Sequence, residues 1–267
     1  MIPKKIHYCW FGKKPLPNLA VKCIASWKKY CPDYEIIEWN EDNFDVCSCD
    51  YVKEAFEAKK WAFITDYVRL KVLSDYGGIY MDTDVEVIQP LDSFLTEKAF
   101  SGFETEDAVP TGIMACEKGF PLFAEMVLEY ENRHFIRSDG SFDGMTNVVY
   151  ITEVCHKKGL KRNNSYQVVE GFALYPKEYF CPKSYLTKEI HCTENTYTIH
   201  HFSASWRTKK QNRWFDFEAK IARKLGEERA AALFRIWLWR LARSLYSFGL
   251  AEMIKKIARI IKRGENL

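Results

Sequence analysis

Two aspartates one residue apart, Asp82 and Asp84, close the apolar run Ile79-Tyr80-Met81. Extended backbone sends alternate side chains to opposite faces, so the two carboxylates project to one side. Carboxylates this close repel, and both stay ionised only with a cation between them. Hard oxygen donors of this kind suit Mg2+ or Mn2+, with phosphate oxygens filling the remaining positions. A solvated turn is the plain alternative for an Asp-x-Asp, since aspartate is mostly exposed. The preceding apolar strand and glycine-capped helix weigh against it. Upstream, Asp66 and Arg69 are three apart and share a helix face. An exposed intrahelical pair and a cleft-facing pair both fit, and the apolar and aromatic neighbours favour the cleft. Downstream, His200 and His201 are adjacent, so on a strand only one of them faces such a metal. Ordinary strand packing is the other reading of that pair.

These residues need elements to position them. Ala62, Tyr67, Leu70 and Leu73 fall near helical spacing, and Gly77-Gly78 stops the helix where a left-handed cap belongs. Val85-Glu86-Val87-Ile88 alternates as a strand and ends at Pro90. Near the N-terminus, a strand over Ile6–Trp10 ends at Gly12. A helix over Leu19–Tyr30 and a strand over Tyr34–Trp39 follow. Strand, helix, strand at this spacing predicts a βαβ unit and a parallel sheet. Ligands of such sheets bind beyond the carboxyl ends of the strands. Trp10 stands at one such end, where it either stacks on a nucleotide base or packs into the core.

Further along, strands are expected near 100–104, 110–115, 167–169, 173–176 and 197–202. A helix is expected over 119–133, and residues 179–182 read as a loop. Another helix starts near Asp143, which is a candidate N-cap. The region 217–263 is helix-forming and broken at Gly226 and Gly249. Leu233, Ile236, Trp237, Leu241, Leu245 and Phe248 make an apolar face. Arg235, Arg240, Arg243, Lys255, Lys256, Arg259, Lys262 and Arg263 supply charge. Such a basic amphipathic region either lies on an anionic membrane or packs on protein.

With 267 residues, 47% hydrophobic and 15% aromatic, the chain supports one substantial core plus an appendage. Charge is uneven: residues 216–267 hold 12 Lys and Arg against 6 Asp and Glu, net +6, and the rest hold 27 against 30, net −3. The expected division is a catalytic body at 1–215 and a basic helical region at 216–267. Nine cysteines without a CxxC pair disfavour zinc and fit free thiols in a reducing cytosol. No leader-like segment and no apolar run of membrane-spanning length is read. Nucleic-acid binding is disfavoured, since no basic-aromatic patch stands outside the tail.

The run from Trp61 to Leu91 resembles the DxD-containing sugar-binding region of glycosyltransferase family 32. That family holds capsular polysaccharide enzymes and Och1-like mannosyltransferases, and it is related to glucosylating toxin domains. The resemblance reaches back to Ile2-Pro-Lys-Lys-Ile-His-Tyr-Cys-Trp10-Phe-Gly12 and forward to Ile199-His-His-Phe-Ser-Ala-Ser-Trp206. It implies a GT-A-like, Rossmann-like α/β domain that binds a nucleotide sugar. It implies catalytic roles for Asp66, Arg69, Asp82 and Asp84, and a metal, Mn2+ or Mg2+, held by Asp82, Asp84 and His201. Donor contacts are implied for Trp10 against uracil, for Asp66 on sugar hydroxyls, and for Arg69 on sugar and phosphate. Tyr80, Thr83 and Asn147 join the donor contacts. Trp206 and one of Ser203 and Ser205, with Ser205 preferred, are implied on the diphosphate. Asp143 either lines the sugar or acceptor side or caps its helix.

The expectation is a retaining hexosyltransferase using a nucleotide diphosphate sugar, UDP-linked, and a saccharide acceptor in surface or capsular polysaccharide synthesis. Front-face attack, with the leaving phosphate helping to deprotonate the acceptor, follows from the resemblance. The location expected is cytoplasmic, with peripheral contact on the inner face of the plasma membrane. A metal-dependent phosphohydrolase and a non-catalytic saccharide- or membrane-binding protein are the competing classes.

Overall fold

The computed structural model describes residues 1–109, 112–204 and 208–248. Two compact units emerge: Met1–Lys183 with His191–Ser203, and Ser184–Ile190 with Ala204–Leu267.

The first unit opens with β1 (Lys5–Cys9), α1 (Asn18–Tyr30) and β2 (Glu35–Trp39), and β1 pairs in parallel with β2. Helices α2 (Asp50–Glu57) and α3 (Trp61–Tyr76) lead to β3 (Gly78–Met81), which pairs in parallel with β1. After β4 (Val85–Val87) come β5 (Ala99–Gly102), β6 (Ile113–Cys116) and α4 (Pro121–Glu131). Next are α5 (Asn147–Lys157), β7 (Gln167–Val169), β8 (Phe172–Tyr175), the single-turn α6 (Lys177–Phe180) and β9 (Thr198–His200). Seven strands form one sheet in the order β2-β1-β3-β6-β5-β8-β7, and β4 and β9 pair separately. The expected α/β architecture is present, and the sheet is mixed. Strands β1, β2, β3, β5 and β8 run one way and β6 and β7 the other. The residues just after β1, β3 and β5 therefore share an edge with those just before β6. Trp10, Asp82, Glu104 and Gly112 lie along it.

Local chemistry explains these elements. Gly77 (φ 66°) ends α3, and its N–H donates to the Leu73 carbonyl. Gly78 (φ 107°) lies so close to β1 that an added Cβ would sit 2.8 Å from the Lys5 carbonyl oxygen. The crossover from α3 into β3 needs glycine there for both reasons. Helix α1 buries Trp27, whose indole N–H donates to the Val85 carbonyl at 2.7 Å. The Ser26 hydroxyl accepts from Val87 N–H at 2.9 Å, so α1 clamps β4 at two points. Fully buried side chains such as Trp27, Tyr51, Phe123 and Phe172 each contribute roughly 2–3 kcal/mol through lost water contact. The interior holding the site edge is correspondingly stiff.

Several expectations shift. Residues 50–57 form α2, which the sequence reading passed over, and 177–180 turn helically into the start of the expected 179–182 loop. Helix α5 begins at Asn147 with Thr146 in the capping position, so Asp143 is not its N-cap.

The second unit holds α7 (Lys209–Leu225), α8 (Glu227–Arg235) and α9 (Trp237–Phe248). A boundary after residue 215 would fall inside α7. That helix starts at a capping box in which the Thr208 hydroxyl accepts from Gln211 N–H and the Gln211 side chain accepts from Thr208 N–H. Gly226 separates α7 from α8 as expected, and Ile236, extended at φ −61° and ψ 135°, adds a break before α9. Ile236, Leu245 and Tyr246 remain 51%, 45% and 42% exposed. The expected break at Gly249 and the basic residues from Lys255 to Arg263 lie outside the described residues. Among the described residues no helix is long and apolar enough to cross a membrane.

Candidate active site

Asp82 leaves the end of β3, and its N–H donates to the Gly112 carbonyl at 2.8 Å. Its carboxylate takes both arms of Arg69, with Nη2 at 3.2 Å from Oδ1 and Nη1 at 3.4 Å from Oδ2. The Tyr80 hydroxyl donates to the same Oδ1 at 3.1 Å. Arg69 reaches from α3, where its Nε–H donates to the Thr65 carbonyl at 3.1 Å and Nη2 stands 3.4 Å from Asp66 Oδ1. The guanidinium lies 4.7 Å over the Tyr80 ring. Asp66 and Arg69 are therefore a buried pair beside Asp82. Arg69 thus aligns Asp82.

Asp84 accepts from Ser203 N–H at 2.6 Å, and its Oδ1 is 3.4 Å from His200 Nε2. The β4–β9 register places His200 opposite Val85. His201, the expected metal ligand, turns instead to the other side, its Nε2 2.7 Å from Glu86 Oε2. The structure thus brings His200, and not His201, to the two aspartates. A ligand atom from each of Asp82, Asp84 and His200 lies within 4.8 Å of the others. Two carboxylates and an imidazole are a donor set for a borderline-hard divalent cation. His200 Nδ1 is buried without a hydrogen-bond partner, and Gly112 leaves it room, because a Cβ there would stand 2.8 Å from that nitrogen.

The electrostatics fit a cation site. Burial pushes Asp66 up to about 7, although Arg69 opposes it. Burial also raises Asp82, against the pull of Arg69. Burial would raise Asp84 too, but His200 and the Ser203 amide outweigh it and hold the carboxyl below its ordinary range. Asp84 outweighs the opposing effect of burial on His200 and raises its pKa well above the usual imidazole value. Proton and metal therefore compete for this ring. Glu104, which follows β5, is a further carboxylate raised by burial.

Asn147 is buried beside Asp66: its amide donates to the Asp66 carbonyl at 3.0 Å and its oxygen accepts from the Tyr130 hydroxyl at 3.2 Å. Its two ends hold the start of α5 on α3 and on α4. Asp143 pairs with Arg133 and Arg137, and Arg133 also acts electrostatically on Asp66. Thr83 is half-buried in the turn between the aspartates. Trp10, half-buried just past β1, donates from its indole to the Lys14 carbonyl at 2.5 Å. Ser205 and Trp206 lie outside the described residues. Ser203 meets Asp84 through its backbone. Sequence reasoning expected His201, whereas His200 stands beside the aspartates, and it did not single out Glu104. Glu104 carried a signal, a carboxylate at the end of an apolar strand.

Residues 17–101 match the model of the glycosyltransferase sugar-binding region containing DXD motif. A 130-residue stretch is 28% identical to inositol phosphoceramide mannosyltransferase 3 of Schizosaccharomyces pombe, covering 47% of this chain and 36% of that protein. Another alignment, over 160 residues, is 26% identical to mannosyl phosphorylinositol ceramide synthase CSH1 of Saccharomyces cerevisiae, covering 58% of this chain and 42% of the relative. The chain thus spans less than half the length of these relatives. The solved galactosyltransferase LgtC with donor and acceptor sugar analogs superposes at a TM-score of 0.43 and 14% identity, over 83% of this chain and 96% of that one. At that score the likeness carries no weight here. Residues 17–101, with Asp82 and Asp84 among them, are thus similar to a glycosyltransferase sugar-binding region containing a DXD motif.

Proposed function

We propose that the protein is a metal-dependent glycosyltransferase that moves a hexose from a nucleotide diphosphate sugar to a saccharide acceptor. The observation that carries this reading is the convergence of Asp82, Asp84 and His200 at the sheet's carboxyl edge, inside and beside the matched region. A divalent cation held there supplies positive charge for the departing diphosphate. The protein's own part is preorganisation. Arg69 and Tyr80 orient Asp82, Ser203 N–H orients Asp84, and Asp66 offers a carboxyl to sugar hydroxyls. Trp10, at the end of β1, is the platform for the base. Ser205 and Trp206 are assigned to the diphosphate by the family resemblance.

Mn2+ suits the imidazole ligand better than Mg2+. We take the donor to be UDP-linked and the acceptor to belong to surface or capsular polysaccharide, with retention of configuration. We place the protein in the cytoplasm, with the second unit on an anionic membrane. That unit's exposed Leu245 and Tyr246 and its net basic charge support the placement. The two relatives carry mannosyl transfer in their names, so GDP-mannose belongs in the test.

The experiment incubates the protein with UDP-glucose, UDP-galactose, UDP-GlcNAc, UDP-GalNAc and GDP-mannose, with Mn2+ or EDTA, and follows nucleoside diphosphate release. Release from one donor, abolished by EDTA and by Asp84→Ala, is expected. Inorganic phosphate release without any acceptor would point to a phosphohydrolase. Absence of Mn2+-dependent nucleotide binding would overturn the reading.

A further inference from the structure

The His200 imidazole presents its two nitrogens to different groups. Nε2 faces the aspartates, 3.4 Å from Asp84 Oδ1. Nδ1 makes no hydrogen bond and stands 3.8 Å from Glu104 Oε2, with both side chains largely buried. Among the described residues no hydrogen bond reaches the Glu104 carboxylate. A buried ring nitrogen without a partner and a nearby carboxylate without a donor are each unfavourable alone and complementary together.

An imidazole that binds a metal through one nitrogen carries its proton on the other, and that N–H is ordinarily held by a carboxylate or carbonyl. We propose that Glu104 is a positioning residue that accepts the Nδ1–H of His200 and so keeps Nε2 free toward Asp82 and Asp84. The inference rests on the reading of Asp82, Asp84 and His200 as a metal site. The 3.8 Å separation exceeds a hydrogen bond, and contacts of this kind tighten when a site is loaded.

Among the described residues, the surroundings leave Glu104 as the acceptor. On the Nδ1 edge Gly112 offers no side chain, and a Cβ there would stand 2.8 Å from the nitrogen. The Phe202 side chain packs on the ring with centroids 4.2 Å apart and carries no acceptor. The Cys181 thiol also interacts with the ring, but burial keeps it protonated, and a thiol accepts weakly. Glu104 owes its place to topology: it follows β5, whose partner β6 begins just after Gly112.

The test measures Mn2+ binding, read from the free-ion EPR signal, for the full chain and for Glu104→Ala, Glu104→Gln, Cys181→Ala and His200→Ala. The expected pattern is a loss of about tenfold or more in affinity for Glu104→Ala, and a larger loss for His200→Ala. Glu104→Gln keeps an acceptor oxygen and is expected to retain most of the affinity, and Cys181→Ala all of it. Equal loss in Glu104→Gln and Glu104→Ala would overturn positioning in favour of direct ligation. Unchanged affinity in Glu104→Ala beside a loss in His200→Ala would overturn this inference alone. Absence of Mn2+ binding by the unaltered chain would overturn the metal reading itself. Histidine 15N shifts of the Mg2+-loaded unaltered protein give a second readout that needs no variant to fold. A proton on His200 Nδ1 supports the proposal, and a proton on Nε2 overturns it.

Discussion

A buried and a half-buried cluster of acid and arginine lie in the first unit, and their charge ratios are opposite. In one, Asp66 and Asp82 share the single guanidinium of Arg69, and Asp84 leans on His200. In the other, the single carboxylate of Asp143 takes both Arg133 and Arg137. Burial raises Asp66 and Asp82 in the first cluster, and Arg69 does not fully offset it. Burial acts on Asp143 as well, but its arginines outweigh it and hold the carboxyl below its ordinary range. Arg133 also lies over the rings of Tyr51, Tyr130 and Tyr150. The Asp143 cluster has positive charge to spare and ties the segment before α5 to the end of α4. The Asp82 cluster is short of positive charge, which is the condition of a site that receives a cation.

The comparison breaks most visibly on activity. Asp84→Asn is expected to lower sugar transfer by roughly 100-fold or more, and Asp143→Ala to leave Mn2+ affinity unchanged. A matching loss of Mn2+ affinity in both variants would erase the distinction. Stability should respond the other way. Asp143→Ala leaves two arginines around a vacated carboxylate and is expected to destabilise by about 2–3 kcal/mol. That is below the range for a fully buried pair, because the Arg137 side chain is 39% exposed. Denaturant midpoints check this, and a loss under about 0.5 kcal/mol would show that the pair is not structural.

Asp66 sharpens the contrast through pH. Its pKa of about 7 in the folded chain exceeds the ordinary 3.8, so the folded state keeps a proton that the unfolded chain releases. The associated stability is full below about pH 4 and lost as pH rises through 7. Asp66→Asn removes that loss. Its melting temperature relative to the unaltered chain should rise from pH 5 to pH 8, by the equivalent of a few kcal/mol at most, while transfer falls. A difference flat with pH would show that Asp66 is ionised throughout. The smallest effect belongs to His201. Paired with Glu86 on the outer side, His201→Asn should cost under about 1 kcal/mol and leave Mn2+ binding intact. Loss of binding would return the ligand role to His201.

Much of the site was legible because it is local. The Asp-x-Asp spacing, the three-residue interval from Asp66 to Arg69 and the Gly77-Gly78 stop depend on periods of two and 3.6 and on glycine's freedom at positive φ. Backbone geometry imposes these on any chain. The framing elements β1, α1, β2, α3 and β3 came from the same patterns, within a residue or two of their positions. What escaped were the short α2, the turn of α6 and the true start of α5, where periodicity runs for too few residues to show.

The sequence by itself determined that one histidine of the 200–201 pair faces inward, and it left open which. Strand alternation sets parity only within a strand. The β4–β9 register, which sets His200 opposite Val85, depends on how α1 clamps β4 through Trp27 and Ser26. Glu104 and Gly112 are in the same position. Their residue types are plain in the chain, but only the order β3-β6-β5 brings them against a ring from the far end of the first unit. Hydrogen-bond periodicity is written into consecutive residues, whereas the choice of neighbouring strand and register is made by long-range packing, and no local pattern encodes it.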